Sequence, residues 1–286
     1  MKVLLYDLET APALGWFWPD RHLYEKNIIE VEQDGFILGF AYKWAHESTV
    51  HWVDMFDFPD AKSQFLDLPR GRVYFNNLGV VKKLFELKGE ADFSIAHNGK
   101  SFDDKVSNLE FMRHRLGPPD NPKSYDTKNE WNRYFRGPSA KLDEIARYLD
   151  LGRKLSHEGK KMWFDHIAAR KTKMGAYAKQ DVALLEQVWN LLKPWVKAPP
   201  NWNLDGDRPA CCPACGSARF KPTQPDWGVS GLSGRQKYRC LNMSAQGGVP
   251  CRHVWRGEVI KRITTTHWKR EEKHPLAKRV GRPRRA

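Results

Sequence analysis

Residues Lys2-Val3-Leu4-Leu5-Tyr6-Asp7-Leu8-Glu9-Thr10 constrain this chain more than any other stretch. A short apolar run such as Val3 to Tyr6 is the pattern of a strand buried on both faces, yet this one stops at two acids. Side chains alternate along a strand, so Asp7 and Glu9 point to one side at its end. Two carboxylates held together raise each other's pKa unless a cation neutralises them. All-oxygen sites of this kind suit Mg2+ or Mn2+. The plain alternative for a lone Asp-x-Glu is an acidic strand end at a turn. Further ligands elsewhere in the chain decide between the two.

Residues 11–32 read as a loop, with Trp16, Phe17, Trp18 and Pro19 available to cap a core or stack on bases. Residues 35–44 and 49–54 read as strands joined by a polar turn, which leaves Trp44 and Trp52 to core packing. Residues 80–87 have helical spacing, and a short apolar strand over 93–96 runs into the loop His97-Asn98-Gly99. Ser101 is placed to cap a helix that starts near Phe102 and runs to Arg115. A strand follows over 123–127, then an amphipathic helix opened by Ser139 and closed by Gly152. A polar-rich helix over 160–169 and a long helix over 173–195 complete the pattern. Strands first, then helices alternating with strands, then a long helix is the order of an α/β, ribonuclease H-like mixed sheet with flanking helices.

Three more site residues sit at element boundaries. Asp103 lies in the first turn of its helix, where an acid also complements the helix dipole. Asp104 competes with it, but neighbours on a helix point about 100° apart and only one can face the metals; Asp103 is preferred. Tyr177 and Asp181 stand four apart on the long helix and share one face, which a structural hydrogen bond also explains. Asp126 ends a strand, either behind the metal site or capping a turn.

Tyr6-Asp7-Leu8-Glu9-Thr10, His97-Asn98-Gly99-Lys100-Ser101-Phe102-Asp103 and Tyr177-Ala178-Lys179-Gln180-Asp181 together resemble the three motifs of the DEDD superfamily of 3′ to 5′ exonucleases. Tyr177 marks the tyrosine branch; the histidine branch carries His at that place. The likeness is strongest to stand-alone bacteriophage exonucleases, which share the look of residues 154–159 and of a Cys-Pro-x-Cys-Gly segment. The resemblance implies hydrolysis of the terminal phosphodiester of DNA with two Mg2+ or Mn2+, releasing nucleoside 5′-monophosphates. It implies Asp7 bridging both ions, Glu9 and Asp181 completing the site for the attacking water, Asp103 supporting the second ion and Tyr177 orienting the water. Thr10 and Asn98 become candidates to hold the terminal nucleotide, and Phe102 to pack under the metals. Lys154 and His157 either reach phosphate or are ordinary surface charge.

All five cysteines lie between Cys211 and Cys251, a local metal site rather than a disulfide framework. Cys212-Pro213-Ala214-Cys215-Gly216 is a knuckle that brings two thiolates to one structural Zn2+, with Cys240 and Cys251 as the second pair. Residues 241–250 separate the last two cysteines, where a ribbon usually has two residues. His253 therefore competes with Cys251, and Cys211 with Cys212, although Pro213 at the turn favours Cys212. A metal-free thiol cluster is the alternative. Trp227, Tyr238 and Trp255 beside Arg219, Lys221, Arg235, Lys237 and Arg239 make a base-stacking and phosphate-binding surface.

Pro199, Pro200, Gly206 and Pro209 mark residues 197–209 as a linker. The expected organisation is an exonuclease domain over 1–196, a zinc-ribbon-like module over 210–262 and a basic tail over 263–286. Gly281-Arg282-Pro283 in that tail resembles an AT-hook, with a generic electrostatic arm as the alternative. A net charge of +14 favours nucleic acid, DNA foremost, as the partner, because clustered Lys and Arg displace counterions from phosphate. No run approaches the roughly 18 apolar residues of a membrane span, and the first residues lack a signal-peptide core. No membrane partner and a cytoplasmic location are expected, the host's cytoplasm if the chain is phage-encoded. A partner polymerase or replication protein suits a chain with no polymerase domain of its own; the sequence specifies no oligomeric state. The competing classes are a non-catalytic zinc-dependent DNA-binding protein and a structure-specific endonuclease using the same metals. Four converging negative charges oppose mere phosphate binding and favour an enzyme.

Overall fold

Along β1 (Val3–Thr10) the residues Leu4, Tyr6 and Leu8 enter one core, and Val3 and Leu5 enter another. A strand divided in this way has to lie inside a sheet covered on both faces. The computed structural model describes residues 2–17, 28–69, 71–120, 123–156, 159–196, 211–227, 233–243 and 250–261. Trp18, Pro19, His157, the linker 197–209 and the tail with Gly281-Arg282-Pro283 lie outside the described residues. The chain divides into two compact units, Met1–Val196 and Lys197–Ala286.

The first unit contains β1, β2 (Leu14–Phe17), β3 (Ile28–Gln33), β4 (Ile37–Trp44), β5 (His51–Asp54), β6 (Phe65–Leu68), β7 (Gly71–Tyr74), β8 (Phe93–Ala96) and β9 (Ser124–Asp126). Its helices are α1 (Leu78–Glu90), α2 (Asp103–Arg113), α3 (Thr127–Tyr134), α4 (Leu142–Tyr148), α5 (Lys160–Ile167) and α6 (Met174–Leu192). Five strands form a mixed sheet in the order β5-β4-β1-β8-β9, antiparallel from β5 to β1 and parallel from β1 to β9. Val80, Leu84 and Leu87 of α1 and Phe111 of α2 cover the Leu4, Tyr6, Leu8 face. Ala178, Val182 and Leu185 of α6 and Ile145 of α4 cover the Val3, Leu5 face. Asp7 and Glu9 continue that second row, so alternation alone directs both acids toward α6. None of these helices is long and apolar enough to cross a membrane.

Trp52 of β5 sets the separation of α6 from the sheet edge. A β-carbon at Gly39 would lie 2.5 Å from its indole, and one at Gly175 would lie 2.8 Å from it. Both positions are glycine because the ring fills the gap between strand and helix.

Several elements differ from expectation. The segment read as a loop contains a two-stranded hairpin, β2 with β3, whose Trp16, Phe17, Ile28 and Ile29 are exposed and so show no inside-outside alternation. A second hairpin, β6 with β7, is held locally by the Arg72–Asp67 ion pair and by the Arg72 guanidinium 3.8 Å over the Phe65 ring. The strand expected over 123–127 stops at Asp126, whose carboxylate accepts from the Lys128 and Asn129 backbone N–H groups and starts α3. That helix escapes pattern reading because it buries Trp131 as its one large apolar side chain. Ser101 does not cap α2: Phe102 occupies the N-cap and helical turns begin at Asp103. Ser139 likewise precedes α4, with Lys141 at the N-cap and Ser139 Oγ accepting from Lys141 N.

In the second unit β10 (Phe220–Trp227), β11 (Ser233–Cys240) and β12 (Val254–Lys261) form an antiparallel meander. Lys221, Arg239 and Val254 are paired across it, as are Thr223, Lys237 and Arg256, and both rows share one face. Pro222, Tyr238 and Trp255 occupy the opposite face, where Phe220, Tyr238 and Trp255 meet with ring centroids 5.3–5.8 Å apart. The surface expected to combine stacking and phosphate contacts is thus two surfaces, because strand alternation parts cations from aromatics.

Candidate functional site

Three elements bring four acids to one place. Asp7 and Glu9 stand on β1 opposite Ala41 and Gly39 of β4. Asp103, buried at the start of α2, accepts from the Leu8 backbone N–H at 3.1 Å and is thereby tied to β1 between the other two acids. Asp181 projects from α6, and Tyr177 one turn earlier is within hydrogen-bonding reach of it. Lys154 completes the group, with Nζ 2.5 Å from Asp181 Oδ2 and 5.4 Å from the centre of the Tyr177 ring.

The electrostatics follow from burial and crowding. Burial, then repulsion from Asp103, Asp181 and Glu9, pushes the Asp7 carboxyl well above the carboxylate range. Burial and the Asp181 charge push Glu9 up to about 7 against the pull of the Trp163 hydrogen bond and of Lys154. Asp103 is pushed up to about 7, chiefly by burial. Asp181 rises by burial despite Lys154, and burial with the Asp181 charge raises Tyr177, so its phenol keeps its proton at neutral pH. A group so charged attracts cations. Asp181 Oδ1 is the one buried side-chain nitrogen or oxygen among the described residues with no hydrogen-bond partner. An orphaned carboxylate oxygen is costly, and it is a fitting ligand for a hard divalent cation. Among the described residues no three carboxylates bring oxygens within 4.8 Å of one another; that spacing is reached by cysteines instead.

Asp104 turns the other way. It accepts from Tyr6 Oη at 2.7 Å, Lys88 Nζ at 2.8 Å and Ser124 Oγ at 2.7 Å. Burial opposes its ionisation, but Lys88 and these donors outweigh it and hold the carboxyl below the ordinary range. The adjacent acids therefore divide: Asp103 faces the cluster and Asp104 ties β1, α1 and β9 together.

Other expected contacts fall as follows. Thr10 is half-buried at the end of β1, where the β1–β4 register shifts. Asn98 adopts a left-handed φ of 65° and its side chain accepts from Lys128 Nζ at 3.1 Å. Lys154 is engaged with Asp181. Phe102, at the N-cap of α2, is 40% exposed. His97 bridges Thr127 Oγ1 and the Ala140 carbonyl at 2.9 Å each, and burial pulls it down to about 4, which makes it a neutral structural link. Nothing in the sequence singles out Trp163 on α5. Its Nε1 donates to Glu9 Oε2 at 3.1 Å and its ring meets Tyr177 edge-on at 6.4 Å. No spacing signal links residues so far apart in the chain.

In the second unit the Sγ atoms of Cys212, Cys215, Cys240 and Cys251 all lie within 4.8 Å of one another. Cys212–Cys251 and Cys215–Cys240 are separated by 3.8 and 3.6 Å. Zn–S bonds of about 2.3 Å in a tetrahedron require about 3.8 Å between sulfurs, so the four form a site that can hold one zinc ion. The Cys212 knuckle closes through Gly216 N to Cys212 O at 2.8 Å, and Asn242 N donates to Cys240 Sγ at 3.4 Å. Hydrogen bonds from Cys212 and Cys251 pull Cys215 down as a thiolate, while donating to it pushes Cys212 up. Cys211 and His253, the competing ligands, are buried but outside this group; His253 stacks on Trp255 instead. The chain matches neither a protein-family model nor a curated protein sequence.

Proposed function

We infer that the first unit is a ribonuclease H-like, DEDD-type 3′ to 5′ exonuclease of the tyrosine branch, hydrolysing terminal phosphodiesters of DNA. The observation that carries this reading is that β1, α2 and α6 bring Asp7, Glu9, Asp103 and Asp181 near enough for Asp7 to feel the charge of the other three, with Asp181 Oδ1 buried and left without a hydrogen-bond partner. Two Mg2+ or Mn2+ bound there supply charge stabilisation for the attacking and leaving oxygens and a hydroxide near neutral pH. Asp7 with Glu9 and Asp181 would hold the ion that serves the attacking water, and Asp7 with Asp103 would hold the second. The Trp163 N–H fixes one Glu9 oxygen and leaves the other for the cation. Tyr177, protonated at neutral pH, orients the attacking water by hydrogen bonding rather than taking its proton. Lys154 neutralises part of the Asp181 charge and so limits repulsion within the group. The cysteine module, with one structural Zn2+, retains nucleic acid through its cationic face.

End-labelled single strands of DNA and RNA incubated with Mg2+ or Mn2+ test the reading. Stepwise shortening from the 3′ end by the wild type, absent in Asp7→Ala, is expected. Binding without cleavage in either metal points instead to a non-catalytic zinc-dependent DNA-binding protein, and internal cuts to an endonuclease.

A further inference from the structure

A second site lies on the other side of the first turns of α6. Gly175 and Lys179 stand roughly 160° around that helix from Tyr177. With Trp52, Asp54, His166 and the 169–173 connection they line an open cleft of about 640 Å³. Glu9, Gly39 and Asp54 are paired across β1, β4 and β5. The cleft floor is therefore two strand spacings, about 10 Å, from Glu9. Helix α5 spans both places: Trp163 donates to Glu9, and His166 one turn later meets Asp54 Oδ1 at 3.1 Å.

The cleft is strongly cationic and its wall is held in place. Lys62, Arg170, Lys171, Lys173 and Lys179 line it. Arg170 is paired with Asp165, whereas Lys62, Lys171, Lys173 and Lys179 have no carboxylate partner among the described residues. Asp54, the lining carboxylate, is already engaged: burial opposes its ionisation, but His166, the Phe56 N–H and Trp52 outweigh it. The connection closes α5 with Ala169 at φ 56°, Ala169 N to His166 O at 2.8 Å and Arg170 N to Asp165 O at 2.9 Å. His166 Nδ1 then meets Thr172 Oγ1 at 3.0 Å and pins the loop between Lys171 and Lys173. Like charges fixed together on a buried anchor raise their own repulsion, which an anionic ligand relieves.

We propose that this cleft holds backbone phosphates of the nucleic-acid strand at a second point, about three stacked nucleotides from the acids at about 3.4 Å each. The proposal rests on the reading of the chain as a nucleic-acid enzyme, but its test does not require cleavage. Fluorescence anisotropy of a labelled 15-nucleotide single strand is measured without divalent cations, in the full chain carrying Asp7→Ala, across a salt series. Lys171→Gln/Lys173→Gln/Lys179→Gln is compared with Lys82→Gln/Lys105→Gln/Lys141→Gln, an equal charge change on exposed lysines elsewhere. Loss of three phosphate contacts lowers the slope of log K against log salt by about 2 and weakens binding on the order of 10–100-fold at 0.1 M salt. The control triple is expected to change neither by more than its effect on net charge.

Equal effects of both triples, or an unchanged slope in the cleft triple, overturn the proposal. So does complete displacement of the strand from the Asp7→Ala protein by a nucleoside 5′-monophosphate in large excess over its own dissociation constant, which marks a mononucleotide pocket. Thermal unfolding of each triple within 2 °C of the parent excludes loss of fold; if the cleft triple falls outside that range, single Lys→Gln variants are measured, and additive slope changes are required. In the cleaving protein the cleft triple raises KM for long strands and leaves a dinucleotide unaffected. Cleavage with unchanged slopes sinks the cleft alone, whereas altered slopes with no cleavage sink the exonuclease alone.

Discussion

Glu9→Gln tests the electrostatics of the acid cluster directly, because glutamine keeps the shape and the Trp163 hydrogen bond but cannot ionise. Glu9 is 6% exposed and titrates near 7 instead of 4.5, through burial and the Asp181 charge. Keeping it ionised in the folded chain costs about 3 kcal/mol, at about 1.4 kcal/mol for each tenfold change in the proton equilibrium. Its folded pKa is the raised one. The stabilisation from binding that proton is therefore complete below about 4.5 and lost as pH climbs through about 7. In divalent-free buffer at pH 8 the variant should exceed the wild type by about 3 kcal/mol, and near pH 4.5 the two should coincide. For a unit of this size that corresponds to about 6–12 °C in Tm. Thermal unfolding followed by circular dichroism, without chelator so that the cysteine site keeps its zinc, reads this out. Added Mn2+ should stabilise the wild type at pH 8 more than the variant. A variant no more stable than wild type at pH 8, or equally stabilised at both pH values, refutes the account of a crowded, repelling cluster.

Asp104→Asn should destabilise by about 3–5 kcal/mol, because it leaves Lys88 charged and buried. Asp103→Asn should abolish cleavage while sparing stability; urea unfolding beside end-labelled digestion separates these adjacent acids. Trp163→Phe removes a hydrogen bond that lowers the Glu9 pKa, so the acid limb of the rate profile should move to higher pH. A limb that stays in place denies Trp163 that role. Cys251→Ser should reduce bound zinc from one equivalent to none by elemental analysis and unfold the second unit, whereas Cys211→Ser should retain the metal.

The central strand and the acids of the candidate site were legible because each rests on a local rule. Alternation put Asp7 and Glu9 on one side, the roughly 100° step between helix neighbours let only one of Asp103 and Asp104 face them, and a four-residue spacing aligned Tyr177 with Asp181. What escaped depends on partners distant in the chain. Lys154 and Asp181 are 27 residues apart, Trp163 and Glu9 are 154 apart, and His166 and Asp54 are 112 apart. The β2–β3 hairpin escaped for a different reason: with both faces exposed, its side chains carry no period-2 signature. In the cysteine module the knuckle was readable. Cys251 was expected as the fourth ligand with His253 as its competitor, and it is Cys251 that returns to the knuckle across residues 241–250.

Trp52, lodged between Gly39 and Gly175, acts as a shim whose thickness sets how far α6 stands off the sheet. Tyr177 and Asp181 ride on that same helix, so a methyl group added at either glycine would tilt both away from Asp7 without touching a carboxylate. On the proposed reading, reactivity can thus be tuned by residues that ligate no metal.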